Sequence, residues 1–220
     1  PAQGGDEGWR KAIAEFKKDG AKVLLYFNGK LIDRESEFYK SGVGKQICYR
    51  DNTGAEFTEQ YRFTGQGTFL GDYNARTFVI ADTRSDIWRK MLLEWADRAR
   101  EYGANSVFYD QLGYGERASN WDLSREFPVP NVRVIADKAE VLKMIRDRNV
   151  SFDPEFALGT EWLTDVTAQY CDYIHIYQVT AGKYSFIDWF RYTFPEIIIS
   201  DREIRDDTDI ERRVNNTLLK

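Results

Sequence analysis

Three carboxylates stand where the chain leaves short uncharged runs. Asp110 follows Ser106-Val107-Phe108-Tyr109, Glu161 follows Phe156-Ala157-Leu158-Gly159-Thr160, and Asp201 follows Ile197-Ile198-Ile199-Ser200. Two amides end similar runs: Asn28 closes 22–28 and Gln178 tips 173–177. A buried parallel strand reads as a short apolar run bounded by turn residues. Barrel and open-sheet α/β enzymes keep their chemistry at the C-terminal ends of such strands. Two carboxyl groups in different protonation states, flanking one bond, can cleave a glycosidic linkage. Their environments decide which is the acid and which stays ionised. One acid at a strand end is most often a solvated loop residue or a helix cap. Three at equivalent positions in consecutive units weigh more, so Asp110, Glu161 and Asp201 are the candidate catalytic residues.

The residues around them suggest a lining for substrate. Trp162, beside Glu161, suits a sugar platform or a desolvating wall, and loop packing explains it equally well. Strand alternation points Tyr109 and Gln111 away from Asp110. Gln111 lies where the strand ends, within reach of a substrate hydroxyl. His175 shares a strand face with Tyr177, although a strand histidine is more commonly bonded to a neighbour. With the tips Asn28, Gln178 and Arg202, these residues complete the expected substrate-binding set: Asn28, Tyr109, Gln111, Trp162, His175, Tyr177, Gln178 and Arg202.

The elements that must position these groups alternate. Residues 8–19 place Trp9, Ile13 and Phe16 on one helical face and stop at Gly20. The 22–28 strand follows. Residues 86–102 form the clearest helix, with Ile87, Met91, Leu92, Trp95 and Ala99 as its stripe. Gly103 ends it and the 106–110 strand follows. Residues 131–136 read either as a short extended piece or as the entry to a 137–148 helix striped by Val141, Leu142 and Ile145. Strands over 155–159, 173–177 and 196–200 follow, with a short helix through Val166 and Tyr170 after the first. A polar helix is expected over 206–220. Strands alternating with helices argue for βα units on a parallel sheet. The expected fold is therefore α/β, a (β/α) TIM-type barrel that is incomplete in this chain. A flavodoxin-like open sheet is the alternative, but no Gly-rich phosphate turn stands near the first strand.

Residues 30–80 break the pattern. They are rich in Gly, Thr, Asn and aromatics, and 45–63 reads as a β-hairpin turning at Asn52-Thr53-Gly54. We take the chain as one partial barrel domain over 1–220, with 30–80 as a loop and β excursion after the first visible strand.

Composition excludes several classes. With 42% hydrophobic and 30% charged residues, the 220-residue chain is globular rather than disordered. A net charge of -5 and a pI near 5.2 argue against a nucleic-acid partner. No run approaches the roughly 18 apolar residues of a membrane span, so no membrane partner is expected. Pro1 is not a native start, which implies trimming or processing before it. Cys48 and Cys171 could pair, but two cysteines make no disulfide scaffold. His175 is the sole histidine, which excludes a His-rich zinc site and leaves only a carboxylate Mg²⁺ or Ca²⁺ site open. No Gly-x-Ser-x-Gly elbow is present. Gly65-Gln66-Gly67 with Gly71 lacks the βα context of a dinucleotide fingerprint. No cofactor and no metal are called for.

The order of the acids resembles that of retaining α-glycosidases of the α-amylase type and of barrels such as endo-α-N-acetylgalactosaminidases. The runs VFYDQLG, ALGTEW and FPEIIISDRE also look like a bacterial barrel family of unknown function grouped with glycoside hydrolases. The resemblance makes Asp110 the nucleophile, Glu161 the general acid/base and Asp201 a transition-state stabiliser, with a carbohydrate as substrate. The 30–80 excursion would match the one such barrels carry after strand three. Phe108 stands where the amylase pattern has Arg, and Ser200 where it has His, so a more distant barrel glycosidase fits better. Counted this way, strands one, two and eight are absent. The remainder of a longer chain, or another copy, would then complete the barrel. Non-catalytic carbohydrate binding and an interaction segment are the other readings.

Overall fold

The strand that ends on Asp110 is buried at every position, because Ser106-Val107-Phe108-Tyr109 carries no charge and has sheet on both sides. A computed structural model describes residues 4–61, 76–113, 115, 119–124, 128–176 and 192–201, without the side chains of Ile176 and Asp201. The order is α1 (Gly5–Lys18), β1 (Leu24–Asn28), β2 (Leu31–Asp33), α2 (Glu37–Lys40), α3 (Val43–Gln46), β3 (Thr58–Tyr61) and β4 (Arg76–Ile80). There follow α4 (Asp86–Glu101), β5 (Ser106–Asp110), α5 (Val134–Phe152), β6 (Ala157–Glu161), α6 (Asp165–Ala168), β7 (Tyr173–Ile176) and β8 (Ile198–Asp201).

Five strands form a sheet in the order β1-β5-β6-β7-β8, every neighbouring pair parallel. Sheet order follows chain order, unlike a flavodoxin-like sheet, whose first two strands are exchanged. One face is covered by α4 and α5. Leu25, Phe27, Val107, Tyr109 and Leu158 meet Trp88, Leu92, Trp95, Leu142 and Ile145 there in the main core. The α4 stripe is rotated slightly from expectation: Trp88, Leu92, Ala96 and Ala99 are buried, and Ile87 is exposed. Residues 134–136 belong to α5, which settles the open choice over 131–136 in favour of helix entry for that part.

The other face is open at both edges. Leu24, Tyr26 and Ile198 on β1 and β8 are 48%, 56% and 68% exposed, an arrangement compatible with part of a barrel.

The excursion differs from the long hairpin expected over 45–63. A tight turn does form at 52–54, with Asp51 Oδ1 accepting from the Thr53 and Ala55 amides and a bridge between Arg50 and Glu56. Residues 43–46, however, are helical rather than a strand arm. Gly44 packs there so closely that a Cβ would lie 2.9 Å from the Tyr39 Cα. β3 pairs instead with β4, and β4 with β2, as a separate antiparallel sheet ordered β2-β4-β3. Among the described residues, no helix is long and apolar enough to cross a membrane. The expected helix over 206–220 lies outside the described residues.

Candidate active site

The registers of the parallel sheet align one row of residues at its C-terminal rim. Asn28 pairs with Asp110, Glu161 with His175, and His175 with Ser200. Tyr109 pairs with Thr160, so Asp110 and Glu161 stand at the same level on adjacent strands. In-register residues of a parallel sheet share a face, and side chains alternate with period two. The row Asn28, Asp110, Glu161, His175 and Ser200 therefore lies on the face away from α4 and α5. Asp110 and Glu161 are only 8% and 7% exposed.

One step below the row is an aromatic layer. Phe108 stacks against Tyr26 at 5.8 Å and against Tyr173 at 6.1 Å, and meets the His175 ring edge-on at 5.8 Å. Gly159 makes room for it: a Cβ there would lie 2.2 Å from the Tyr173 ring. Burial pushes the Tyr173 phenol up to about 12, against the lowering effect of its bond with Ser106.

Asp110 is held on one oxygen. Its Oδ2 accepts from the Tyr26 hydroxyl at 2.5 Å and from Asn28 Nδ2 at 3.2 Å. Its backbone carbonyl accepts from the Gly29 amide at 2.8 Å. Among the described residues no donor sits on Oδ1. Asn28 Oδ1 in turn accepts from the Lys30 and Leu31 amides at 2.9 and 2.7 Å, which fixes the turn from β1 into the excursion. Asn28, expected to touch substrate, orients Asp110 through its Nδ2 bond.

Both acids are followed by a residue in the left-handed backbone region, Gln111 at φ 60° and Trp162 at φ 58°. Non-glycine residues pay roughly 1–2 kcal/mol for that conformation, and such positions gather at functional sites. The two turns are tied together. Gly113 N donates to Thr160 Oγ1 at 2.8 Å, and Thr167 Oγ1 donates to the Gly113 carbonyl at 2.7 Å. A Cβ at Gly113 would lie 2.3 Å from the Trp162 carbonyl, so only glycine lets the turns approach this closely.

The other expected residues divide as follows. Trp162 is 39% exposed beside Glu161. His175 Nδ1 lies 2.8 Å from Ser200 Oγ, which itself donates to the Ile174 carbonyl at 3.0 Å. Which of the two donates in that contact follows the histidine tautomer. Gln111 Nε2 donates to the Tyr61 hydroxyl at 2.7 Å, while its Oε1 is buried and, among the described residues, without a partner. Tyr109 is a correction: it is fully buried on the helix side of the sheet, its hydroxyl donating to the Leu92 carbonyl, so it cannot contact substrate. Asp201 pairs with Ile176, one residue past the row, and Ser200 takes the level expected for that carboxylate. The Asp201 side chain, Tyr177, Gln178 and Arg202 lie outside the described residues. Among the described residues no cluster of three or more His, Cys, Asp or Glu is arranged to hold a metal ion.

A family described as a domain of unknown function (DUF6259) matches residues 1–200 of the sequence. The chain belongs to that family. A Monosiga brevicollis protein, named provisionally as a glycoside hydrolase, is 26% identical over 123 residues, 55% of this chain. The chain spans 10% of that relative's length. Two solved structures share the fold. The glycoside hydrolase domain of PelA from Pseudomonas aeruginosa is 15% identical with a TM-score of 0.55, over 96% of this chain and 79% of that one. Ega3 of Aspergillus fumigatus, in complex with galactosamine, is 14% identical with a TM-score of 0.55, over 90% and 69% of the two chains. This DUF6259 member thus resembles glycoside hydrolases in sequence and in fold.

Sequence reasoning missed Tyr26 and Ser200. Period-two alternation carried the signal for Tyr26, which shares a face with Asn28 two residues later. No signal in the chain placed Ser200, because its level is set by pairing with β7.

Proposed function

We propose that this domain cleaves glycosidic bonds by a retaining, two-carboxylate mechanism. One observation carries the reading: Asp110 and Glu161 occupy the same level and face of adjacent parallel strands. Adjacent strands lie about 4.8 Å apart. That spacing suits the separation of about 5–5.5 Å between carboxyls in retaining enzymes better than the 6.5–9.5 Å of inverting ones.

In the first step Asp110 Oδ1 attacks the anomeric carbon. The bond to the leaving oxygen breaks, and Glu161 gives that oxygen its proton. In the second step Glu161 takes a proton from water, the water oxygen bonds to the anomeric carbon, and the ester to Asp110 breaks. Negative charge returns to a carboxylate whose Oδ2 already faces the Tyr26 and Asn28 donors. Trp162 and His175 line the substrate side. Asp201 as a stabiliser enters through the family resemblance, and contacts from Gln178, Tyr177 and Arg202 through their places along and beyond the strands in the sequence. The open edges at β1 and β8 support completion of the barrel by the remainder of a longer chain or by another copy.

The test is a panel of aryl glycosides and polysaccharides, with an amino-sugar polymer first because Ega3 is seen with galactosamine. The expected result is hydrolysis with retained anomeric configuration by NMR, abolished by Asp110→Asn in a folded protein. Full activity in Asp110→Asn, inversion, or sugar binding without hydrolysis overturns the mechanism.

A further inference from the structure

The excursion makes a closed circuit with the candidate nucleophile. From Asp110 the chain passes to Gln111, whose Nε2 donates to the Tyr61 hydroxyl at 2.7 Å. Tyr61 donates to Glu59 Oε2 at 2.8 Å, and the other Glu59 oxygen takes the Lys30 ammonium, which is only 1% exposed. The Lys30 amide donates to Asn28 Oδ1 at 2.9 Å, and Asn28 Nδ2 returns to Asp110 at 3.2 Å. Glu59 and Tyr61 sit two residues apart on β3, so both side chains leave the same strand face. The Tyr61 ring is set edge-on against Phe78 at 5.8 Å, which fixes where its hydroxyl lies.

The circuit bears on Asp110 through Gln111. That residue is strained at φ 60° immediately after the acid. Its carbonyl accepts from the buried Lys138 at 3.3 Å. Among the described residues its side-chain amide has one bond, to Tyr61, and Oε1 has no partner. Burial, the largest influence, raises the Tyr61 phenol to about 12, so it stays a neutral donor to Glu59 across the working range.

We propose that Tyr61 and Glu59 are positioning residues for Asp110. They hold the Gln111 amide, and with it the left-handed turn that ends β5 behind the carboxylate. The excursion is then a functional part of the site rather than a decoration on the barrel. This inference rests on the glycosidase reading for its effect on turnover, but not for its effect on the turn.

Tyr61→Phe keeps the ring on Phe78 and removes the hydroxyl. We expect kcat to fall about tenfold to a hundredfold, the scale of a misplaced catalytic group, with KM nearly unchanged. A second measurement needs no substrate: a thermal-stability cycle of Tyr61→Phe and Gln111→Gly. Glycine takes φ 60° without help, so Tyr61→Phe should lower Tm in the parent chain and change it little in the Gln111→Gly background. Additive stability effects, or an unchanged kcat beside coupled ones, overturn the proposal. If the parent chain hydrolyses nothing, the glycosidase reading fails, and the cycle still decides whether Tyr61 and Gln111 are coupled through their bond.

Discussion

The Tyr26 hydroxyl donates to Asp110 Oδ2 at 2.5 Å from the neighbouring strand, across 84 positions of sequence. Two levels of one sheet face meet in this bond: Tyr26 belongs to the aromatic layer and Asp110 to the row above it. The bond commits one carboxylate oxygen, and among the described residues no donor sits on the other.

Removing that hydroxyl should therefore act on chemistry more than on folding. A hydrogen bond to a charged group contributes about 1.5–3 kcal/mol. Tyr26→Phe is expected to lower kcat by about tenfold to a hundredfold. Tyr26 is half exposed, so Tm should move little. Steady-state kinetics beside a thermal melt check both; an unchanged kcat removes Tyr26 from the site.

Thr160 ties the two rim turns together from inside the sheet. Its Oγ1 donates to the Tyr109 carbonyl at 2.7 Å and accepts from the Gly113 amide at 2.8 Å, and the residue is fully buried. Thr160→Val keeps the shape and leaves the buried Gly113 amide without its partner, while the Tyr109 carbonyl keeps its place in the β5–β6 ladder. A buried orphan costs about 1–3 kcal/mol, so the urea midpoint should drop clearly. A midpoint equal to that of the parent chain contradicts the tie.

The helix layer carries its own acid sensitivity. Arg148 clasps Asp97 through Nε at 2.9 and 3.0 Å and through a second nitrogen at 2.5 Å, and Arg100 adds a bond at 2.8 Å. The Arg148 bonds, opposed by partial burial, hold the Asp97 carboxyl below the usual carboxylate range. A depressed folded value means that the stabilisation is present above the ordinary value, near 3.9, and is lost as pH falls through the folded value. Arg148 is well exposed, so solvent screening limits the contribution to about 1 kcal/mol. Asp97→Asn should be less stable than the parent at pH 7, and the gap should close as pH falls below about 4. A gap that persists in acid rules the clasp out as its source.

The strands were legible because the runs before Asn28, Asp110 and Glu161 carry so little charge that only a sheet interior suits them. The exact level of the last tip was not. Expectation put Asp201 at the rim, where the register puts Ser200, in line with His175. Apolar runs mark where a strand passes through the core, but hydrogen-bond pairing sets its level, and one residue of slip exchanges the faces. Tyr109 shows the same rule on β5: adjacency to the acid in sequence places it on the opposite side of the sheet. In the excursion only the turn at 52–54 could be read, since the β3 and β4 pairing spans residues 62–75 and no local pattern encodes it.

The coincidence of sheet order with chain order also bears on how the domain is made. A chain leaving the ribosome completes β1 before β5, β5 before β6 and so on, and each newcomer meets its partner at the growing edge. These five strands can thus assemble vectorially, each adding to the edge its predecessor leaves. Asp110 and Glu161 come together at a single docking event, that of β6 onto β5.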